Sequence, residues 1–114
     1  MTTHCALLTH SSHHAIRLAG RTYWGAAEPA GFERAATSIG AFTFIGAHSV
    51  VAPGSRIGRG VLVRAFSYVS GEVPDFAIVS GQPARVMGDT READVQWLSR
   101  HPECRDDYEA WANR

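Results

Sequence analysis

The sequence predicts a mainly β solenoid, in which short parallel strands are joined by sharp bends, followed by a short α-helical tail. The first observation is a six-residue repeat that begins at Ile39, with a branched aliphatic residue opening every unit. A half-buried strand would alternate every second residue and an amphipathic helix would repeat every three to four, so neither produces this spacing. The second observation is the segment after residue 88, where apolar residues take up a helical spacing.

The repeat units share a regular column pattern. Their first column is always Ile or Val, residues that suit an extended backbone and fill an interior. The second column is mostly small, and we expect its glycines to supply the backbone angles needed at corners. The units are IGAFTF, IGAHSV, VAPGSR, IGRGVL, VRAFSY and VSGEVP, which start at residues 39, 45, 51, 57, 63 and 69. The alternative is a β-sandwich in which this spacing is accidental.

Composition and charge limit the function classes. The 114 residues fit one domain, and 11 basic residues balance 11 acidic ones, so bulk electrostatics favours neither nucleic acid nor a membrane surface. The two cysteines are too few for a disulfide framework, no apolar run reaches the length of a membrane span, and the N-terminus lacks a signal-peptide pattern. We therefore predict a cytoplasmic protein without a nucleic-acid or membrane partner.

The repeat resembles the tandem hexapeptide repeats of left-handed parallel β-helix acyltransferases, nearest the sugar O-acetyltransferases and xenobiotic acetyltransferases. The segment SGEVPDFAIVSGQPARVMGD is similar to the exit segment of that family, and LLTH at residues 7–10 extends the resemblance upstream. Because three hexapeptides make one triangular coil in the family, the resemblance implies about two to three left-handed coils. It implies a β-helix domain over 1–88 with an extruded loop over 10–38, and a helical tail over 89–114.

The resemblance also implies a reaction, the transfer of an acetyl group from acetyl-CoA to a hydroxyl of a sugar or xenobiotic. In the family the catalytic histidine follows a strand that ends in Thr-His, and CALLTH places His10 at that position. A histidine suits a general base that takes the proton of the small-molecule acceptor near neutral pH. His13 and His14 are the other candidates. Because sites of the family span two chains, the resemblance implies a homotrimer.

Matching the sequence to the family motifs implies the coenzyme contacts. Ala47 matches the position whose backbone faces the thioester. Ala65 matches a small residue that contacts the pantetheine amides, and Ser67 lies beside it. Ser70 matches a position near the nucleotide end, while Arg85 of the Gly-x-Pro-Ala-Arg turn is placed to bind phosphate.

Two departures from the family keep other functions open. Only nine residues precede His10, where relatives carry several coils, and Arg64 and Phe66 stand where the family has glycine. Phe66 would either stack on adenine or obstruct the coenzyme slot. A second hypothesis is therefore a catalytically inactive module for binding or assembly.

A metal site is the third hypothesis, because THSSHH clusters three histidines and the γ-class carbonic anhydrases bind zinc on the same kind of β-helix. Zinc needs three or four ligands in fixed geometry, whereas His13 and His14 would point to opposite sides of an extended chain. We therefore expect no metal, and we rank a metal-dependent hydratase below acyl transfer.

The tail TREADVQWLSRHPECRDDYEAW predicts two short helices separated at Pro102. We expect Thr90 to cap the first helix, and the tail as a whole to cover the open end of the solenoid. Each helix carries an apolar pair on one face, Val95 with Leu98 and Tyr108 with Trp111.

Overall fold

The computed structural model describes residues 3–18 and 33–113 of the chain. The strands in these ranges are β1 (Ala6–Leu7), β2 (His10–Ser11), β3 (Glu33–Arg34), β4 (Ser38–Ile39), β5 (Phe44–Ile45), β6 (Val50–Val51), β7 (Arg56–Ile57), β8 (Leu62–Val63), β9 (Tyr68–Val69), β10 (Glu72–Val73), β11 (Ala77–Gly81) and β12 (Ala84–Asp89). The helices are α1 (His13–Leu18), α2 (Thr90–Arg100) and α3 (Arg105–Ala112), with a 3-10 turn at Pro102–Cys104.

Three parallel sheets form the sides of a β-solenoid. Sheet 1 contains β4, β7 and β10. Sheet 2 contains β5, β8 and β11, and β12 extends it antiparallel to β11. Sheet 3 contains β1, β6 and β9. The chain visits the three sheets in this order. Ser38 pairs with Arg56, so β4 and β7 are 56 − 38 = 18 residues apart, which equals three repeat units, and the pairs β5–β8 and β6–β9 have the same spacing. The spacing shortens to 72 − 56 = 16 residues from β7 to β10, where the repeat ends. The prediction of a mainly β fold with short parallel strands is therefore confirmed.

The first-column residues fill the interior of the solenoid, as the repeat predicts. The core contains Ile45, Val51, Ile57, Val63 and Val69, all buried. The serines of the fifth column are buried with them, and their hydroxyls donate to backbone carbonyls. The Ser49 hydroxyl donates to Arg64 O over 3.2 Å, in the neighbouring coil, and the Ser55 hydroxyl to Ala52 O over 2.6 Å. These bonds satisfy the polar groups that the narrow interior buries.

The second-column glycines serve close packing between coils, and our expectation that they supply corner angles is wrong. A Cβ on Gly46 would lie 2.5 Å from the backbone N of Ala65 in the next coil, which no side chain can tolerate. The positive φ angles fall two places later, in the fourth column, at Phe42 (58°), His48 (59°), Gly54 (78°), Gly60 (64°) and Phe66 (61°). Bulky residues therefore adopt, at three of these corners, a conformation that usually favours glycine.

The tail lies along one side of the solenoid and not over its end as predicted. Trp111 of α3 stacks between Phe42, at a centroid distance of 4.5 Å, and Phe76, at 5.7 Å. The Arg59 guanidinium also donates to the backbone oxygen of Trp111 over 3.0 Å. Because Phe42, Arg59 and Phe76 belong to three successive coils, the tail ties these coils together at the corner between sheets 1 and 2.

The two helices of the tail are separated at Pro102 as predicted, but their details differ. Asp89 and not Thr90 caps α2, since the Asp89 carboxylate accepts from the Arg91 backbone N–H over 2.8 Å. Thr90 is buried instead, and its hydroxyl donates to Gly60 O over 3.0 Å. Val95 and Leu98 line one groove together with Tyr108, so they share a face of α2 as predicted, but Leu98 is buried while Val95 is 65% exposed.

The predicted loop over 10–38 contains regular structure in its described part. Strands β2 and β3 pair antiparallel, with His10 opposite Arg34, and α1 starts two residues after β2. Residues 19–32 lie outside the described residues. In the part of the chain that is described, no helix has the length and apolar character needed to span a membrane.

Candidate functional site

A row of stacked rings marks the corner at which the chain turns from sheet 2 into sheet 3. His4 and His48 stack at a centroid distance of 5.1 Å with 22° between the ring planes, and His48 and Phe66 stack at 5.2 Å with 8°. All three rings are exposed, Phe66 to 62%, and all three residues have φ near 60°. Favourable stacking helps to offset the cost of this backbone conformation. We call this corner the aromatic edge.

Ala47 and Ala65 lie beside this stack on adjacent coils. The backbone oxygen of Ala47 accepts from the Phe66 N–H over 3.0 Å, which joins the two coils. The N–H of Ala47 has no hydrogen-bond acceptor within residues 3–18 and 33–113. The small side chains of Ala47 and Ala65 leave room beside the rings. The aromatic edge therefore offers a planar apolar surface next to a hydrogen-bond donor, the Ala47 N–H.

The hairpin of β11 and β12, which contains Arg85, reaches the same edge. Arg85 pairs with Ser80 in this hairpin, and the Gln82 side-chain amide donates to Phe66 O over 2.9 Å. Arg85 and Arg64 are both exposed. The structure therefore places Ala47, Ala65 and Arg85 along one edge, as a ligand with an apolar arm and an anionic end would require.

Ser67 is in the interior and its predicted contact with a coenzyme is wrong. The residue is 1% exposed, and its hydroxyl donates to Arg64 O over 2.6 Å and accepts from Gly81 N over 3.3 Å. Its own backbone N–H is used as well, because it donates to the Ser49 hydroxyl over 3.3 Å. The fifth column of the repeat thus has a structural role at this position.

Ser70 is exposed but lies away from the aromatic edge. It follows β9, whereas Ala65 precedes this strand, so the two residues occupy opposite ends of sheet 3. The structure does not bring Ser70 together with Ala47 and Ala65 within one chain.

His10 lies at the same distant end of sheet 3, where β2 begins. Its ring is exposed, and its Nδ1 lies 3.4 Å from the Thr9 hydroxyl. Strands β1 and β6 are parallel with Ala6 opposite Val50, so His10 follows the end of this strand pair while Ala47 precedes its beginning. At a rise of about 3.3 Å per residue, the two positions are separated by roughly 10 Å or more along the strands. One chain therefore does not bring His10 to the aromatic edge.

His13 and His14 are the first residues of α1, and not neighbours on an extended chain as we expected. Their rings lie 4.0 Å apart, and the His13 Nδ1 contacts the Ser11 hydroxyl. The helix forms here because Ala15 is completely buried and anchors this turn. Among the described residues no three His, Cys, Asp or Glu side chains are placed to share a metal ion.

Two pKa shifts with clear physical causes lie in the tail. Burial, together with a hydrogen bond to the Asp94 carboxylate, raises the pKa of Tyr108 to about 12. The hydrogen bonds from Arg91 lower the pKa of Asp89 to about 2, which keeps this helix cap charged near neutral pH. The charged and hydrogen-bonding partners that cause both shifts lie within the tail itself, Arg91 for Asp89 and Asp94 for Tyr108.

Sequence reasoning missed His4 and His48 as members of the aromatic edge. The signal was present, because His48 and Phe66 occupy the same column of the repeat, 66 − 48 = 18 residues apart. Residues separated by one full coil lie directly above one another, so equal columns at this spacing predict contact.

Comparisons with known proteins point to one family. Residues 36–71 match the family described as bacterial transferase hexapeptide (six repeats). The chain is 38% identical over 55 residues to a putative lipopolysaccharide biosynthesis O-acetyl transferase of Escherichia coli strain K12, covering 48% of this chain and 28% of the relative. It is 42% identical over 60 residues to dTDP-3-amino-3,6-dideoxy-α-D-galactopyranose 3-N-acetyltransferase of Aneurinibacillus thermoaerophilus, covering 53% and 30%.

The fold matches solved structures over a larger part of the chain. A hexapeptide-repeat acetyltransferase of Vibrio cholerae O1 biovar eltor, complexed with acetyl coenzyme A, superimposes with a TM-score of 0.62 at 27% identity. The match covers 75% of this chain and 43% of that one. The chain therefore spans less than half the length of these relatives.

Proposed function

We propose that this chain, whose residues 36–71 match the bacterial transferase hexapeptide family, is a coenzyme A-dependent acyltransferase. Its coils, about two to three in number, would wind left-handed as in the family it resembles. The reaction is transfer of an acetyl group from acetyl-CoA to a hydroxyl of a sugar or a hydroxylated xenobiotic. Relatives named as O-acetyl and N-acetyl transferases both support acetyl transfer to a sugar, and the hydroxyl is our choice between them.

The observation that carries this proposal is the arrangement of the aromatic edge. Coenzyme A has a long amide-rich arm, a planar base and phosphates, and the edge offers a partner for each. Ala47 and Ala65 leave room and backbone groups for the arm, and the Phe66 ring is a flat surface on which the base can stack. Arg64 and Arg85 are exposed guanidinium groups suited to phosphate.

His10 is the proposed general base. It accepts the proton of the acceptor hydroxyl while the hydroxyl oxygen forms a bond to the acetyl carbon and the carbon–sulfur bond of the thioester breaks. The same proton then passes from His10 to the departing thiolate, so that the free thiol and the acetyl ester are the products. The Ala47 N–H, which has no acceptor among the described residues, supplies a donor for the developing oxyanion.

The complete site forms between two copies of the chain in a homotrimer. Supporting this, His10 and Ala47 lie at opposite ends of sheet 3 in one chain, too far apart to act on one acceptor. A neighbouring copy can bring its His10 against the aromatic edge of the first, and cyclic symmetry repeats the contact three times. The acceptor then binds in the cleft between the copies.

Calorimetric titration with acetyl-CoA and with desulfo-CoA tests the proposal, using protein whose oligomeric state is measured by light scattering. We expect a trimer and dissociation constants in the micromolar range for both ligands, equivalent to roughly −8 kcal/mol. The variant Ala65→Trp places a large side chain where the arm of the coenzyme would lie on the aromatic edge. It should abolish binding of both ligands without dissociating the trimer. A trimer that binds neither ligand would overturn the enzymatic proposal and favour an assembly module, while a monomer would overturn the shared site.

A further inference from the structure

We infer that a second groove, between α2, α3 and the corner at Phe42, binds a small hydrophobic cation such as an arylalkylammonium compound. The groove has a volume of about 700 Å³. This is within the usual range of small-molecule sites, roughly 300 to 1,000 Å³. Its lining includes Phe42, Asp94, Trp97, Asp107, Tyr108 and Trp111. We call it the tail groove.

Aromatic rings in two orientations form the walls of the tail groove. Phe42 and Trp111 stack at 4.5 Å with 15° between their planes, whereas Tyr108 meets Trp111 edge-on at 5.2 Å and 76°. Trp97 remains 46% exposed although it is in contact with His101 on one face. Because Phe42 and Phe76 cover the two faces of Trp111, the ring faces left for a cation are those of Phe42 and Trp97, which are 65% and 46% exposed. A cation held over such a face is attracted by the charge distribution of the ring.

The charges of the lining favour a cation over an anion or a neutral molecule. Asp94 and Asp107 contribute carboxylates, and within residues 3–18 and 33–113 the lining includes no Lys, Arg or His. The nearby Arg91 is paired with Asp89, and Arg59 with Asp75, so these guanidinium groups already have anionic partners. The Tyr108 hydroxyl is neutral near pH 7 and hydrogen-bonds to the Asp94 carboxylate, so it leaves the negative charge of Asp94 in place.

The tail groove is distinct from the proposed coenzyme site. It lies at the corner between sheets 1 and 2, while the aromatic edge lies between sheets 2 and 3. Coenzyme A carries several negative charges, which the two carboxylates of the tail groove would repel. The inference therefore does not depend on acyl transfer, and its test needs no acceptor or coenzyme.

Phenethylammonium and 2-phenylethanol are the probes, because they share a benzyl arm and differ mainly in charge. We expect the intact protein to bind phenethylammonium at least about tenfold more tightly than 2-phenylethanol by calorimetry, and to lose this preference as salt is raised. Asp107→Asn should weaken phenethylammonium binding about tenfold. Asp106→Asn is the matched control, because it removes a carboxylate from the same first turn of α3 outside the groove lining, and it should leave binding unchanged.

Trp97→Leu separates the aromatic contribution from the charge. This exposed position can change without loss of the core, and circular dichroism verifies that the variant is folded. Weaker binding of phenethylammonium to folded Trp97→Leu protein supports the inference. Equal affinity for the amine and the alcohol, equal effects of Asp106→Asn and Asp107→Asn, or no binding by the folded wild-type protein would each overturn it.

Discussion

The indole of Trp111 lies over the corner at Gly60, 4.5 Å from the parallel ring of Phe42 in the preceding coil. Gly60 has φ 64°, and a Cβ there would lie 2.7 Å from the Phe76 ring and 3.0 Å from the Trp111 ring. At the aromatic edge the repeat itself supplies a ring in consecutive coils, His48 and Phe66. At this corner the middle coil has glycine, and the tail supplies the missing ring from 51 residues further along the chain (111 − 60).

The stack predicts that Trp111 is a main contributor to stability. Trp111→Ala removes contact with two rings and the corner at once, and we expect a loss of about 2 to 3 kcal/mol in the free energy of unfolding, below the range for fully buried tryptophan. Urea denaturation, monitored by circular dichroism, measures this loss. Trp97→Ala is the control and should cost less than about 1 kcal/mol, since its side chain is nearly half exposed. Equal losses in the two variants would contradict this account.

Close packing between coils predicts the effect of a single methyl group. Gly46→Ala places a Cβ 2.5 Å from the backbone N of Ala65, so neighbouring coils must move apart. We expect a loss of about 2 kcal/mol or more. Gly88→Ala is the control, because its new Cβ would lie 3.7 Å from the nearest atom, which is an ordinary contact. We expect its free energy of unfolding to change by no more than about 0.5 kcal/mol. The result is read from urea unfolding midpoints, and similar midpoints for the two variants would show that the coils adapt.

The raised pKa of Tyr108 predicts a loss of stability at alkaline pH. The pKa is about 12 in the folded chain against 10.0 for the free side chain, so the contribution is present below pH 10 and is lost as pH rises from 10 to 12. The 11 basic residues are all Arg, and the absence of Lys leaves this range free of amine titrations. Tyr108→Phe should flatten the decline of unfolding free energy over this range.

An absorbance titration of phenolate checks the cause of the shift. Asp94→Asn removes the carboxylate that accepts from Tyr108, so the highest of the three tyrosine midpoints should fall. A midpoint that stays at its wild-type value would assign the shift to burial alone.

The extent of sequence prediction differs between the interior and the surface of this fold. The first column predicted the core because Ile and Val at a fixed period must share one environment, and the strand pairs confirm it. The glycine column was misinterpreted, because a close approach between coils and a positive φ both favour glycine and only coordinates separate them. The prediction that Ser67 contacts a coenzyme failed for a similar reason, since small polar residues suit both a ligand contact and an interior hydrogen bond.

The tail and the site could be predicted only in part. Helix breaks follow local chemistry, so Pro102 was identified, but where Trp111 docks depends on a gap at Gly60 that is remote in sequence. The position of His10 followed from a family resemblance, and its distance from Ala47 requires the register of β1 and β6. The spacing of the repeat could not provide this distance, because His10 lies outside the repeat.

Replacement of His10 should separate catalysis from binding. His10→Ala is expected to lower turnover at least about 100-fold while the dissociation constant for acetyl-CoA changes little, because the base acts on the acceptor. The same change at His13 and at His14 decides among the three candidates. Steady-state rates with a panel of sugars, including amino sugars, provide the measurement. Full activity of His10→Ala with a large loss in either other variant would reassign the base.

A shared site predicts that two inactive variants restore one another. His10→Ala keeps an intact aromatic edge, and Ala65→Trp keeps an intact His10, so a mixed trimer can form a site with His10 from one chain and the edge from its neighbour. If the two variants assemble at random, the chain that supplies His10 is intact in half of the sites, and the chain that supplies the aromatic edge is intact in half. Both are intact in about a quarter of the sites, so co-expressed variants should recover roughly a quarter of the wild-type activity. Two variants mixed without subunit exchange are the control and should stay inactive. If both halves of the site belonged to one chain, every chain would carry one defect and co-expression would restore nothing, whatever the composition of the trimer.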